Sequence, residues 1–376
     1  MATDWQWHYL ARDEANLVAN TGTMRVKLPV REQISVIELE WRTTQHATDF
    51  AKTFGAIQAV TKIEVIADGA TVLYSMVPET GSYIEYCRQK KMPAIDCYMC
   101  ASGPEKVRLK IMFGRYMRDE KYMLDTSVYN NVYLEVPWDI SGAGYTDYSF
   151  TYTVRYLRPM EKLSPEGFLR SRDIEYGAHN WTAAGHHYVD LPLKYPWYRV
   201  GVQILNYDEL MHIDMTHIRL DIDDGRYVLV DDDLDDLRTI EDQRQCYPVT
   251  MMYHHVDGDA AAWRPLFGYM GYPNNYKSAM IDNAASGVLF TAGLGYEVWV
   301  AWLNDAEGRV ENSFTLGIQG ENYMCCQTIK DWEGGDPFDV NAHSEAQIDF
   351  THAIANFDDL RIFLTEICPL KIGGAP

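Results

Sequence analysis

Two cysteines, Cys97 and Cys100, have the spacing of a zinc-binding CxxC motif. A structural zinc site needs two more ligands, and the sequence has neither a second CxxC nor a suitably spaced pair of histidines. The seven cysteines are odd in number and irregularly spaced, which is not typical of a disulfide framework. We therefore expect buried free thiols, with a zinc site as the less favoured alternative.

Two adjacent histidine pairs, His186-His187 and His254-His255, are the next candidate metal ligands. They lack the HxH spacing found in two-barrel metal enzymes. Neighbouring residues of a strand point to opposite faces, so one pair cannot easily supply two ligands to the same ion. We predict histidines in loops or on the surface, and no bound metal or other cofactor.

Aspartates are concentrated in two runs of the second half. Asp221, Asp223 and Asp224 resemble the start of a calcium-binding loop, but the glutamate expected at the twelfth position is missing. The second run, within 231–236, precedes a predicted helix, where acidic side chains interact favourably with the helix dipole. We favour a structural function for both runs over calcium binding.

Common catalytic motifs are absent from the sequence: it has no GxSxG, HExxH, phosphate-binding loop or GxGxxG. Glycoside hydrolysis needs only two carboxylates about 5–10 Å apart, and the 54 acidic residues leave such a pair open. The aromatic segment 263–276 could line a sugar site. A glycoside hydrolase is therefore the alternative to a non-enzymatic function, and a lectin-like binding module is the third class.

The charge balance argues against direct contact with nucleic acid. The net charge is −21 and the sequence pI is about 4.8. Binding to phosphates needs clustered lysines and arginines. An acidic protein instead repels its own copies at long range, which keeps a particle surface from clumping.

An internal repeat organises the chain. The segment LPVREQISVIELEW from Leu28 matches LPLKYPWYRVGVQI from Leu191 at a constant offset of 163 residues. From Ile37 onward the apolar positions alternate with polar or small ones, which predicts a strand with one buried face. The hairpin TKIEVIADGATVLYS from Thr61 likewise matches THIRLDIDDGRYVLVD from Thr216. A segment of helical character follows each hairpin, at about 79–90 and 234–244.

Further alternating strands follow in each half. We therefore predict an all-β fold of two tandem jelly-roll β-barrels, a double jelly roll, with a few short helices. The predicted division is an N-terminal arm at 1–23, a first jelly roll at 24–160, a linker at 161–178, and a second jelly roll with enlarged loops at 179–376.

The segment KIMFGRYMRDEKYMLDTSVYNNVYLEV from Lys110 resembles the strand–loop–strand of double-jelly-roll major capsid proteins of tailless icosahedral, membrane-containing viruses. In that family an FGR-type tripeptide is followed by an acidic residue and a Leu-Asp pair. The residues that match this pattern are Phe113, Gly114, Arg115, Asp119, Leu124 and Asp125. The segment FLRSRDIEY from Phe168 resembles the start of the family's second barrel. The similarity extends over about residues 24–369 and is strongest to capsid proteins of bacterial viruses.

The resemblance implies a structural protein without enzymatic activity. It implies that three chains form a homotrimer, and that the six jelly rolls give a pseudo-hexameric capsomer of an icosahedral virion. It also implies contacts with neighbouring capsomers, with penton and minor capsid proteins and with an internal membrane, but none with nucleic acid. Synthesis is expected in the host cytoplasm.

The arm before the first barrel is predicted to be helical. Thr3 is suited to cap a helix, and the residues that fall broadly on one face are Trp7, Leu10, Leu17 and Val18. Trp5, Trp7 and Leu10 are therefore candidates for contacting a neighbouring capsomer or the internal membrane. The alternative is a terminal helix that packs on its own domain.

Overall fold

The computed structural model describes the parts of the chain on which all structural statements below rest. They are residues 3–16, 21–44, 57, 59–89, 95–96, 104–140, 150–176, 185–205, 215–234, 236–237, 253–255, 263–265, 277–279, 288–293, 296–301, 326–332, 336–352 and 359–372. Within these segments, no helix is both long enough and apolar enough to cross a membrane.

The first half folds into two sheets that enclose one core. Its elements are β1 (Trp5–Asn16), β2 (Thr21–Lys27), β3 (Gln33–Ile34), β4 (Val36–Thr44), β5 (Ile63–Ala67), β6 (Thr71–Met76), α1 (Pro78–Gln89), β7 (Ile95–Asp96), β8 (Pro104–Met112), β9 (Leu124–Asp125), β10 (Val132–Asp139) and β11 (Phe150–Pro159). One sheet has the order β1-β11-β4-β8-β7, and the other contains β2-β10-β5-β6. When the two-residue strands β3, β7 and β9 are left out and the other eight are numbered in chain order, the two sheets have the orders 1-8-3-6 and 2-7-4-5. This is the jelly-roll topology.

The second half repeats this topology. Its strands are β12 (Phe168–Tyr176), β13 (Gly185–Asp190), β14 (Trp197–Leu205), β15 (Met215–Ile222), β16 (Tyr227–Asp233), β17 (Tyr253–His255), β18 (Trp263–Pro265), β19 (Lys277–Ala279), β20 (Val288–Gly293), β21 (Tyr296–Ala301), β22 (Cys326–Asp331), β23 (Ala346–His352) and β24 (Asp359–Cys368). The sheets β12-β24-β14-β22 and β13-β23-β15-β16 again pair eight strands as 1-8-3-6 and 2-7-4-5. The strands β17 to β21 form smaller ladders within the long connection between β16 and β22.

Alternating strands bury one face of each sheet. Along β10 every second side chain is buried, beginning with Val132, and β23 shows the same pattern beginning with Ala346. In the first core, Trp138 stacks on Phe150 with ring centroids 5.0 Å apart. Each fully buried large apolar side chain contributes roughly 1.5–3 kcal/mol to folding, so these alternating positions fix which face turns inward.

The two halves keep the same strand register, as the internal repeat predicts. In the first barrel Leu39 of β4 is paired with Val154 of β11. In the second barrel Val202 of β14, 163 positions after Leu39, is paired with Ile362 of β24. Residues of β4 and β11 can therefore be matched with their counterparts in β14 and β24.

The hairpin turns are also duplicated. Asp68 and Asp223 both adopt positive φ angles, of 50° and 54°, at the start of an Asp-Gly turn. The carboxylate of Asp68 accepts hydrogen bonds from the backbone of Asn130 and Asn131, and that of Asp223 accepts one from the backbone of Ser344. Each turn is thereby fastened to the loop that leads into the seventh strand of its barrel.

Two sequence predictions are corrected by these strands. The helix predicted in the arm is wrong, because Trp5–Asn16 is β1 and pairs along its length with β11. Its aromatic side chains alternate with polar ones and so suit a strand, which the helical interpretation overlooked. Within the predicted linker, Phe168–Tyr176 is β12, paired with β24 over nine residues. The connection between β11 and β12 is therefore residues 160–167.

Candidate functional site: the interface between the two barrels

The FGR-type motif holds the loop after β8 against the start of the second barrel. The buried ring of Phe113 packs edge-on against Phe168 of β12, with centroids 6.3 Å apart. The Leu169 N–H donates to the Phe113 carbonyl at 2.8 Å. A Cβ at Gly114 would lie 2.8 Å from the Tyr122 carbonyl oxygen, so this approach requires glycine.

Arg115 and Asp119 close the same loop with a two-point ion pair. The guanidinium donates to both carboxylate oxygens, at 2.8 and 3.0 Å, and the Asp119 side chain is 0% exposed. Burial raises the pKa of Asp119, but the hydrogen bonds from Arg115 and from the Lys121 backbone outweigh it and lower the pKa below its usual value. The loop is then joined to the inter-barrel connection, where the Met123 N–H donates to the Gly167 carbonyl.

Leu124 and Asp125 form the short strand β9, paired with β3. The Asp125 carboxylate accepts from the Ser127 N–H at 2.9 Å and caps a single 3-10 turn. Asp339 caps a matching turn in the second barrel, accepting from the Asn341 N–H at 3.0 Å. All six family-like residues thus lie in one loop system between β8 and β10, where their contacts are structural.

Helix α1 fills the space between the barrels. The Tyr83 ring packs against Phe363 of β24 at 5.5 Å, and its hydroxyl bonds to the Thr328 side chain and backbone at 2.9 and 3.0 Å. Arg88 donates to the Met112 carbonyl and to the Ser171 hydroxyl, which belong to opposite barrels. The first barrel's helix therefore covers the outer face of a second-barrel sheet.

The start of α1 is hydrogen-bonded to Asp173 of β12. Its Oδ2 accepts hydrogen bonds from the Val77 N–H at 2.7 Å and from the Thr80 hydroxyl at 2.9 Å. Its Oδ1 is buried and accepts no hydrogen bond from the described residues. Burial raises the pKa of Asp173 to about 7, despite these hydrogen bonds and the positive charge of Arg361.

Glu366 lies on β24 beside the same interface, and its carboxylate is paired with two arginines. Arg170 and Arg172 both donate to its carboxylate, at distances between 2.6 and 3.2 Å, and its side chain is 0% exposed. Removing this carboxylate would leave two guanidinium groups without their buried partner. The group fixes β12 against β24 where the second barrel begins.

The three predicted contact residues of the arm pack on their own barrel. Trp5 and Trp7 are half-buried against an apolar cluster of Val36, Met112 and Leu157. The Arg155 guanidinium lies 4.6 Å from the centre of the Trp7 ring. Leu10 packs against the first core. The structure thus places all three on β1, in the contact expected of a terminal segment that packs on its own domain.

The candidate metal ligands are separated. Cys87, Cys326 and Cys368 are buried thiols, whereas Cys97 and Cys100 lie outside the described residues. The side chains of the second histidine pair, His254-His255, are also outside them.

Three of the candidate ligands from the sequence analysis that the structure describes are paired with other side chains. His186 lies 3.0 Å from Asp349, Asp221 binds Arg219, and Asp223 binds His343. Across the described segments, no group of three His, Cys, Asp or Glu side chains is placed to hold a metal ion.

A shallow cleft on the outer face of β1-β11-β4-β8 brings three carboxylates together, those of Asp13, Glu38 and Glu40. It has a volume of about 200 Å³, smaller than the ~300 Å³ at which small-molecule sites begin. Glu38 is paired with Arg155 at 2.6 Å, and Glu40 with Arg108 at 2.6 Å. Burial raises the pKa of Glu40, but hydrogen bonds from Arg108, Arg42 and Lys106 lower it to about 2. A glycosidase acid must stay protonated near neutral pH, so Glu40 does not fit the acid of the hydrolase alternative.

The comparisons with known proteins agree with the strand order. No protein-family model and no curated protein matches the chain. Among solved structures, it is similar to the major capsid protein of Sulfolobus turreted icosahedral virus, at 14% identity and a TM-score of 0.57, covering 98% of this chain and 97% of that one. It is also similar to the capsid of the virus PBCV-1, at 10% identity and a TM-score of 0.50, covering 98% and 94%. The chain is a double jelly roll.

The double jelly roll is held together by residues that the sequence analysis did not single out. Tyr83, Asp173 and Glu366 make the main polar contacts between and beside the barrels. One signal was present in the sequence: Glu366 is the only carboxylate in the otherwise apolar run IFLTEIC, which begins at Ile362. A charge in such a strand usually has a buried partner. Nothing local indicates which arginines provide it.

Proposed function

We propose that this chain is a major capsid protein whose homotrimers are pseudo-hexameric capsomers of an icosahedral virion. The observation that carries the proposal is the pair of barrels with one topology and one register, fused along a shared sheet through the bridge between Ser75 and Arg172. The likeness to viral capsid chains over 98% of the sequence supports it. The virus is tailless, and its host is a bacterium, as the sequence resemblance implies.

Two similar barrels per chain give a physical reason for this assembly. Threefold symmetry applied to a pair of like units produces an approximately sixfold outline, and such units can tile a shell from a single gene product. The predicted division has barrels at 24–160 and 179–376 and a linker at 161–178, with β1 now added to the first barrel and β12 to the second. Three such chains give each capsomer six barrels.

The partners follow from this function. The chain binds copies of itself, penton and minor capsid proteins and, through the inner end of the capsomer, an internal membrane. A net charge of −21 supports a shell without direct contact to nucleic acid. The exposed parts of Trp5 and Trp7 on β1 are the proposed contact with a neighbouring capsomer or the membrane. The protein is made in the host cytoplasm and resides in the virion, with a structural and non-enzymatic function.

The mass and outline of the purified protein test this proposal. Light scattering is expected to give about 130 kDa, three times the chain mass of 43.2 kDa, and negative-stain images of the same fraction are expected to show hexagonal particles. A monomer at all concentrations, or an oligomer without hexagonal outline, would contradict the proposal. Release of reducing sugar from glycosides would favour the hydrolase instead.

A further inference from the structure

The outer face of the first barrel carries an excess of positive charge in a strongly acidic chain. The ten residues around its cleft include five cations and three carboxylates, a net charge of +2, whereas the whole chain has −21. We call the cations the basic face: Arg12, Arg42, Lys106, Arg108 and Arg155. The carboxylates of Glu38 and Glu40 neutralise part of this charge but leave an excess. Such a face attracts carboxylates.

The corresponding face of the second barrel is already covered. Ile362 and Leu364 of β24 face the second core. Phe363, which lies between them on the opposite face, belongs to the first core through its contact with α1. Tyr83 of α1 packs on Phe363 and binds Thr328. Within one chain, the helix after the fifth strand of one barrel therefore seals the outer sheet of the other barrel.

The shared register shows what the same face looks like in the first barrel. In the second barrel Phe363 is paired with Gly201. The residues at the corresponding positions of the first barrel are Arg155 and Glu38, which are paired with each other. At this pair of positions the covered face has Gly201 and Phe363 where the uncovered face has an ion pair. The charged Arg361, two positions from Phe363, donates to Gln203. Because the net charge around its cleft is +2, the first barrel's face favours a partner that brings carboxylates.

A charged segment occupies the place in the second barrel that α1 occupies in the first. The helix α1 starts directly after the strand β6, and in the second barrel helical residues start at Leu234, directly after β16. Around this point Asp231, Asp232, Asp233 and Asp236 are all exposed. We call these four aspartates the acidic edge. Asp231 and Asp233 contact His217 of their own chain, at 2.8 and 3.0 Å, so the carboxylates offered to the basic face are chiefly those of Asp232 and Asp236.

We infer that the acidic edge of one copy of the chain docks on the basic face of a second copy. This inference rests on the proposed capsomer, since it repeats between chains the contact that α1 makes within a chain. A ring of alternating barrels then has one kind of joint that lies within a chain and is closed by α1, and another that lies between chains and is electrostatic. Complementary charges set the partner and the register of such a contact.

Charge reversal on either side tests the inference. The variant Arg12→Glu/Arg42→Glu alters the exposed rim of the basic face, and Asp232→Lys/Asp236→Lys alters exposed positions of the acidic edge. Each variant is expected to raise the concentration needed for trimer formation by roughly tenfold or more, as measured by light scattering at low salt. The combined variant is expected to restore assembly. Adding salt to the wild type is expected to weaken its trimer, because screening acts on exposed charges.

A matched control separates a specific contact from net charge. Lys27→Glu/Lys371→Glu alters two exposed lysines away from both surfaces and changes the net charge by the same amount as the basic-face variant. It is expected to assemble normally, and circular dichroism checks that every variant is folded. Normal assembly of both reversed variants, or no recovery in the combined one, would overturn the inference while a trimeric wild type leaves the proposed function standing. A wild type that never assembles would remove both.

Discussion

The two buried carboxylates beside the barrel interface have different surroundings. Glu366 is contacted by two guanidinium groups, from Arg170 and Arg172. Asp173 accepts hydrogen bonds from two neutral donors, the Val77 N–H and the Thr80 hydroxyl. Ionisation is disfavoured at Asp173, where burial raises the pKa to about 7.

The variant Asp173→Asn is expected to change how stability depends on pH. Between about pH 4 and about pH 7 the folded wild type binds more protons at this site than the unfolded chain, so its free energy of unfolding falls as pH rises through that window. An asparagine keeps an acceptor for Val77 and Thr80 but carries no charge. Urea unfolding should show that the variant has a flatter pH dependence and is more stable than wild type at pH 8.

The exposed Asp336→Asn is the control for this measurement, because it removes one aspartate that belongs neither to the barrel interface nor to the acidic edge. It should keep the wild-type slope. A slope in Asp173→Asn equal to that of wild type would contradict the ionisation argument.

At the residue scale the sequence indicated positions better than contacts. The family-like residues from Phe113 to Asp125 do form one loop system, as their order along the sequence suggested. What they touch could not be predicted, because Phe113 meets Phe168 and Tyr83 meets Thr328 across long stretches of chain. Neither hydrophobic periodicity nor turn chemistry carries information about such pairs.

Helix α1 shows at the scale of elements how the barrels are joined. The variant Tyr83→Phe keeps the ring packed on Phe363 but removes the hydroxyl that accepts from the Thr328 N–H. A buried donor that loses its acceptor costs about 1–3 kcal/mol, and a loss of stability in that range is expected in chemical denaturation. Tyr9→Phe is the matched control, since Tyr9 is 54% exposed and should change stability little. Equal stability of Tyr83→Phe and wild type would show that this bond does not support the interface.

The elements that sequence patterns predicted well are those governed by local rules. The helix predicted at 79–90 is observed as Pro78–Gln89, and the Asp-Gly turns join β5 to β6 and β15 to β16. The prediction failed for β1, whose apolar residues allow both a helical face and an alternating one. Pairing with β11, about 150 residues away in the sequence, decides between them. That pairing is a property of the fold and not of the segment.

At the scale of the whole molecule, the core of the first barrel extends into the second barrel. The first core contains Phe168, Cys326 and Phe363 from strands of the second barrel. Scanning calorimetry is therefore expected to show a single unfolding transition. Trp41→Ala, at a fully buried position of β4, should lower the temperature of that whole transition by removing about 3–5 kcal/mol of stability. Two separate transitions, only one of them shifted, would show that the barrels unfold independently.

The difference between the two outer faces has a consequence for how such a chain can change over generations. In a ring of separate identical barrels, every substitution is repeated at all joints, so a change that suits one joint must suit the rest. Once two barrels share a gene, Gly201 and Phe363 can be selected for close packing while Glu38 and Arg155 are selected for charge. In the proposed capsomer, fusion thus frees the joint within a chain to become permanent, while the joint between chains remains adjustable.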